Sequence, residues 1–208
     1  MIYDLTRPIT SGMPVYPGDP PVQITPLPNP PWQISALQLG SHSGTHLDAP
    51  RHRFAGGVGI DAIPPARLVG PGIVIDAGGY EANAPIGPEV LAGVALPAGL
   101  MVLIRTGWEA YWGTDVYARH PYLSAGLAQA LVDVGVTLVG IDAFSVDSTV
   151  DGNDAAHLTL LGNNILIAEN LCNLAALECG TRYTFAFLPL PLVQADGAPA
   201  RVLAWREK

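Results

Sequence analysis

Short, strongly apolar runs recur along the chain at residues 35–41 (SALQLGS), 72–77 (GIVIDA), 101–106 (MVLIRT), 137–142 (TLVGID), 164–170 (NILIAEN), 184–190 (TFAFLPL) and 201–205 (RVLAW). Four of them are almost wholly apolar, the pattern of strands covered on both faces. The first alternates instead. It predicts Leu37 and Leu39 on one face and Gln38, Gly40 and His42 on the other. Helical patterns are fewer. Residues 124–134 place Leu127, Ala130, Leu131 and Val134 on one stripe, with Ser124 as N-cap and Gly135 as the stop. Residues 154–161 fit one or two turns, with Asp154 as N-cap and Gly162 as the stop, and 88–93 and 171–177 are shorter candidates. Strands outnumber helices, which predicts an α/β fold with a mixed, strand-rich sheet, less regular than a doubly wound one.

The first 35 residues are proline-rich, which favours extended and turn conformations. Val15, Tyr16, Ile24 and Trp32 within them are expected to pack on the domain. At 208 residues, 49% hydrophobic and 13% charged, the chain reads as one domain over 1–208 with a substantial core, not as a disordered segment or a coiled coil. A net charge of −8 with only 10 Lys and Arg lacks the basic footprint of a nucleic-acid or anionic-membrane binder. No apolar run approaches the roughly 18 residues of a membrane span, and the first residues carry no signal-peptide pattern. Cys172 and Cys179 are spaced neither as a zinc ribbon nor as CxxC, so free thiols and a cytoplasmic location are expected. No glycine-rich phosphate loop follows a strand, which removes support for nucleotide binding.

Chemistry concentrates in His42-Ser-Gly-Thr-His46-Leu-Asp48-Ala-Pro-Arg-His52, which holds three of the five histidines. His46 and Asp48, two apart, point the same way in extended backbone. Gly44 permits a sharp turn, and Pro50 directs the chain away before His52. The segment can therefore gather imidazoles and a carboxylate at one place, a donor set suited to zinc, manganese or iron(II). The His42-x3-His46 spacing is not that of a zincin: glycine weakens the helix, and the general-base glutamate is missing. Further donors are His157, on the polar side of DAAHLTLLGN, and Glu169, a carboxylate closing a strand so apolar that it needs a partner. His120, in YARHPY, is expected at the surface or in a turn.

HSGTHLDAPRH resembles the H-x-G-T-H-x-D-x-P-x-H motif of the metal-dependent cyclase family, which includes bacterial kynurenine formamidases and isatin hydrolases. The resemblance extends in order along the chain: Tyr16-Pro-Gly-Asp19, Arg105-Thr-Gly-Trp108, Gly140-Ile-Asp142 with Ser145-Val-Asp147, and His157 through Glu169-Asn170-Leu171. It implies a swivelling β/β/α domain, usually a homodimer in which the partner closes part of each pocket. It also implies two divalent ions, usually Zn2+ and in some members Mn2+. One is held by His42, His46 and Asp48. The second is held by Asp48 as a bridge with His157 and Glu169, and His52 is the catalytic acid/base. The implied activity is hydrolysis of a small-molecule amide by a water that the metals activate, N-formyl-L-kynurenine being the first candidate substrate and isatin or another small amide or ester the alternative. An aromatic amide needs apolar walls, for which Trp108, Tyr16 and Phe54 are candidates, and residues 108–123 are the expected lid or pocket insertion. Asp142 and Asp147 are candidate partners of ligand histidines.

Overall fold

A computed structural model describes residues 1–206. The strands are β1 (Ile2–Asp4), β2 (Gln23–Asn29), β3 (Trp32–Gln38), β4 (His46–Asp48), β5 (Val69–Asp76), β6 (Pro85–Ile86), β7 (Met101–Arg105), β8 (Tyr122–Leu123), β9 (Leu138–Ile141), β10 (Leu166–Glu169), β11 (Arg182–Pro189) and β12 (Gly197–Trp205), with helices α1 (Ala125–Val134) and α2 (Ala155–Gly162). The main sheet runs β1-β12-β11-β5-β7-β9-β10-β4. β4 also pairs with the start of β12, so seven strands close into a barrel-like sheet and β1 lies on the remaining length of β12. β5, β7, β9 and β10 are mutually parallel, whereas β4, β11 and β12 join antiparallel. This is the expected mixed, strand-rich α/β sheet.

The near-continuous apolar runs have a direct cause. Along the parallel strands, Ile73, Ile75, Val102, Ile104, Val139, Ile141 and Ile167 pack with Leu127 and Leu131 of α1 and Leu160 and Leu161 of α2. The alternate residues Val74, Leu103, Leu138, Leu166 and Ala168 pack with Leu47, Phe185, Phe187 and Val202 in the barrel. Each strand thus buries both faces, and neither face can be polar. Helix α1 follows its sequence signals: Ser124 accepts from the Leu127 N–H at 3.1 Å, and Gly135 stops it at φ 79°.

Other elements depart from expectation. Residues 35–41 do not form a core strand. They overlap β3, which ends at Gln38 and pairs only with β2 in a separate hairpin. That hairpin projects from the domain: Trp32 is 70% exposed and Leu37 65%. The arm therefore packs less closely than expected at Trp32, and Tyr16 is also partly exposed. Asp154 does not cap α2. Asp147, from the preceding loop, accepts the N–H groups of Ala156 and His157 at 2.8 and 2.9 Å, and Asp154 instead pairs with Arg53 at 2.7 Å. Gly162 is the last helical residue rather than the stop, and the cap is Asn163. Residues 171–177 contribute only a 3-10 turn at Leu174–Ala176. His120 is buried, not superficial, because both ring nitrogens find partners: the Pro121 carbonyl at 2.9 Å and the Thr149 hydroxyl at 2.8 Å. Among the described residues no helix is long and apolar enough to cross a membrane.

The barrel leaves no room at Gly72 of β5. A Cβ there would lie 2.3 Å from the Met101 carbonyl oxygen and 2.9 Å from Phe185. Gly72→Ala is expected to cost about 1–3 kcal/mol through overpacking, read as a lower urea midpoint at unchanged slope.

Candidate metal centre

The site is built on the strand that closes the barrel. β4 is only His46-Leu47-Asp48, with β10 on one side and β12 on the other. Alternation sends Leu47 into the barrel core and turns His46 and Asp48 to the opposite face. The antiparallel register places Glu169 of β10 opposite His46, so their side chains are cross-strand neighbours. Before β4, Gly44 takes φ 64°, and the turn it allows folds His42 back over the strand. His157 arrives from the first turn of α2.

These residues converge on Asp48, which has no solvent exposure. Its Oδ1 is 2.8 Å from His42 Nδ1 and 3.3 Å from His46 Nε2, and its Oδ2 is 3.6 Å from His157 Nε2. Glu169 stands 3.4 Å from His46 Nε2 and 3.6 Å from His157 Nε2, and one of its oxygens accepts the Val146 N–H at 2.8 Å. Two imidazoles are held from behind. His46 Nδ1 donates to the Gly44 carbonyl at 2.8 Å, and His157 Nδ1 bonds Asp147 at 2.7 Å. Both present Nε2 to the carboxylates, as metal-binding histidines do.

Two observations fit a bound cation. His46 Nε2 and Asp48 Oδ2 are buried and make no hydrogen bond, an expensive state for polar atoms in an apolar setting. The separations of the His46 and His157 Nε2 atoms from the Asp48 and Glu169 oxygens, 3.3 to 3.6 Å, are too long for good hydrogen bonds. Those within one donor set, His46–Asp48, His157–Asp48 and His157–Glu169, match the edges of a tetrahedron whose metal–ligand bonds are about 2.0–2.2 Å. The donor atoms fall into two sets that share Asp48: His42, His46 and Asp48, and Asp48, His157 and Glu169.

Without cations, protons supply the compensating charge. Burial alone disfavours charged imidazole, but the Asp48 charge and the hydrogen bonds to Asp196 and Asp48 raise His42 to about 9. Burial is likewise outweighed at His46, where Asp48 and Glu169 raise it to about 10. At His157 too burial is outweighed, here by the hydrogen bond to Asp147 and the nearby carboxylates of Asp48 and Glu169, which raise it well above the ordinary value. Asp48 is held well below the ordinary carboxylate range despite burial, chiefly by His46 and His42, and Glu169 is lowered by its histidine neighbours.

His52 lies at the edge of this cluster in a 3-10 turn (Pro50–His52), its ring centre 4.0 Å from that of His42 and 5.5 Å from that of His157. It lines the same cavity, of about 550 Å³, together with Tyr16, Phe144, Asp19, Arg53 and Asp154. Tyr16 meets Phe144 edge-on at 5.9 Å. The other two expected aromatics lie elsewhere. Trp108 is core: it is 7% exposed, its indole N–H donates to the Tyr117 carbonyl at 3.1 Å, and it does not line the cavity. The insertion it begins packs through Tyr117 under the sheet instead of lining the pocket. Phe54 borders a separate shallow depression beside Gly162. Asp147 does partner His157, but Asp142 instead accepts the Thr106 and Gly107 N–H groups at 2.7 and 2.8 Å. Asp196 was not anticipated. It bonds His42 Nε2 at 2.8 Å and His52 Nδ1 at 3.1 Å, and the His42 bond foremost holds its carboxyl well below the usual range.

The raised imidazoles fix a pH dependence for protein stripped of metal. The unfolded chain releases these protons near 6.5, the folded chain only near 9 to 10. Between those values the folded state binds more protons, so stability falls as pH rises. The contribution is complete below about 6.5 and gone above about 10. The Tm of chelator-treated protein is expected to decline from pH 6.5 to 9.5. A flat or rising Tm over that interval would count against the charge arrangement.

Comparison with known proteins identifies the family. Residues 3–148 match the sequence model of the Cyclase family, described as "Putative cyclase". A protein named kynurenine formamidase from Bordetella avium is 34% identical over 210 residues, covering 97% of this chain and 96% of the relative. One of the same name from Salinibacter ruber is 34% identical over 218 residues, again covering 97% and 96%. Among solved structures, one described as a potential metal-dependent hydrolase with cyclase activity superposes with a TM-score of 0.83 at 30% identity, covering 100% of this chain and 99% of the other. Isatin hydrolase A from Labrenzia aggregata superposes at 0.87 with 26% identity, covering 98% and 93%. The matched segment carries the barrel-closing strand with its histidines, and the fold agrees over the full length: the chain belongs to the cyclase family.

Proposed function

We propose that the chain is a metal-dependent hydrolase that cleaves the carbon–nitrogen bond of a small amide, with N-formyl-L-kynurenine as substrate and L-kynurenine and formate as products. One observation carries the reading: a fully buried carboxylate, Asp48, stands among three imidazoles at the floor of a cavity that a fourth imidazole, His52, overlooks. His42, His46 and Asp48 would hold one divalent ion, and Asp48, His157 and Glu169 a second. Zn2+ is the expected ion and Mn2+ the alternative. Such ions supply Lewis acidity, which acidifies water towards neutral pH and stabilises negative charge developing on a carbonyl oxygen.

The chain's own residues do the rest. Gly44 and Asp147 fix the His46 and His157 rings, so neither has to reorganise when a cation binds. The cavity volume falls within the range of small-molecule sites. Tyr16 and Phe144 offer an apolar wall for an aromatic ring. As water adds across the amide, the C–N bond breaks and the departing aryl amine needs a proton. His52, which lines the cavity beside His42, is the proposed donor. Two named neighbours support hydrolysis of an amide, and the 0.87 superposition on isatin hydrolase A supports a cyclic amide as the second candidate. The hairpin's exposed Trp32, Ile34 and Leu37 support assembly as a homodimer, since apolar surface of this kind marks an interface. A cytoplasmic, tryptophan-catabolic role goes with that substrate.

Protein loaded with Zn2+ or Mn2+ is expected to release kynurenine from formylkynurenine faster than it opens isatin. Turnover of isatin or other amides with formylkynurenine untouched would reverse the order of the two substrates. His52→Ala is expected to keep its metal and lose about 10²- to 10⁴-fold in kcat, whereas Asp48→Asn is expected to lose bound metal by elemental analysis. A His52 variant stripped of metal, or an Asp48 variant as full as the parent, overturns the corresponding role.

A further inference from the structure

Asp196 touches two of the cluster's imidazoles but holds no cation in the scheme above. One oxygen, Oδ2, lies 3.1 Å from Nδ1 of His52 and 2.8 Å from Nε2 of His42. The residue ends the loop between β11 and β12, and the backbone fixes it there. Its carbonyl accepts the Ala49 N–H at 2.9 Å, and the carbonyl of Ala195 accepts the Ile60 N–H at 2.9 Å. The next residue must be glycine-sized: a Cβ on Gly197 would fall 2.8 Å from the Leu47 carbonyl oxygen and 3.0 Å from the His42 ring. The start of β12 is thus pressed against the histidine segment, and the carboxylate is delivered by rigid backbone on both sides.

His52 needs such a partner. It sits in a short 3-10 turn, its side chain is one-third exposed, and among the described residues it makes no other side-chain hydrogen bond. An imidazole held at one nitrogen has a fixed ring orientation and tautomer, and the other nitrogen becomes the one that exchanges protons.

We propose that Asp196 is the positioning residue of His52: its carboxylate accepts the Nδ1 proton and so aims Nε2 into the cavity at the leaving nitrogen. In the transfer, the Nε2–H bond breaks and an N–H bond forms on the departing amine. The Nδ1–H stays on His52, and Asp196 remains ionised throughout. This deepens the function proposed above and rests on His52 being the proton donor there. The rival role is that of a cation ligand, since His42, His52 and Asp196 also present donor atoms within 4.8 Å of one another.

The experiment compares Asp196→Asn, His52→Ala and the double variant, each loaded with Zn2+ and assayed on the best amide substrate, with metal content measured alongside. Asp196→Asn is expected to keep its metal and its Tm, to shift KM less than about threefold, and to lose about 10- to 100-fold in kcat. In the His52→Ala background the same substitution is expected to change kcat less than about twofold, because residues acting as a unit are non-additive. Asp196→Glu, which keeps the charge, is expected to fall between parent and Asp196→Asn, and it serves equally should the amide variant fold poorly. Loss of metal from Asp196→Asn overturns the proposal in favour of a ligand. An unchanged kcat overturns it outright, as does an equal loss in the His52→Ala background. If His52→Ala itself retains full kcat, the proton-donor reading falls, and this inference with it.

Discussion

Asp48 carries a charge with no exposure to water, in the three-residue strand through which the barrel closes. Isolating a carboxylate there costs several kcal/mol unless positive charge stands beside it. The strand cannot place Leu47 in the core without placing His46 and Asp48 on the opposite face, so closing the barrel and creating the charge are one event. The chain then has to surround that carboxylate with cationic groups, and it does so from two separate segments: His42 and His46 from the turn and strand of Asp48 itself, and His157 from the start of α2. Protons on these rings and divalent cations among them are alternative solutions to the same electrostatic demand. This is why the imidazoles hold protons far above their ordinary range when nothing else is bound.

The same economy appears at α2. Its N-terminus needs an acceptor for free backbone N–H groups, and its first turn carries His157, which needs a partner for Nδ1. Asp147 meets both needs with its two oxygens. A residue next to the helix in sequence, such as Asp154, could have capped the helix but would have left the imidazole unheld. With the cap supplied from the loop, Asp154 is free to pair with Arg53 at the cavity rim. Helix stability and ring orientation are therefore coupled through one carboxylate.

How much of this the sequence disclosed depends on the range of the interaction. The parallel strands were legible because both faces are buried, which makes them apolar at every step, as in Ile73, Val74 and Ile75. The ligand segment was legible because histidine is rare in the chain and three lie within eleven residues. The alternation around Leu37 and Leu39 misled because it says that a strand has two unlike faces, not that any sheet exists to cover one. Trp108 misled in the opposite sense: an aromatic in a polar, turn-rich insertion resembles a pocket wall, yet the insertion folds inward around Tyr117. His120 looked superficial because its neighbours in sequence are charged, but its partners are a backbone carbonyl and a hydroxyl 29 residues away. Asp196 gave no signal, since it meets His52 across 144 residues and follows no periodic pattern.

The carboxylates also differ in distance from the cluster's centre, and that ordering has consequences. Asp48 and Glu169 face the space between the imidazoles, whereas Asp147 and Asp196 stand behind them, each joined to that space through a ring. Two carboxylates are too few to neutralise two divalent ions, so a net positive field would remain where a substrate carbonyl enters. The outer pair offset that field only at a distance while fixing ring orientation. Moving either outer acid inward would weaken that field. Removing one would leave the field but free the ring it holds. With two divalent ions bound, two acids inside and two outside would leave the centre cationic while holding its histidines still, in a chain whose overall charge is −8.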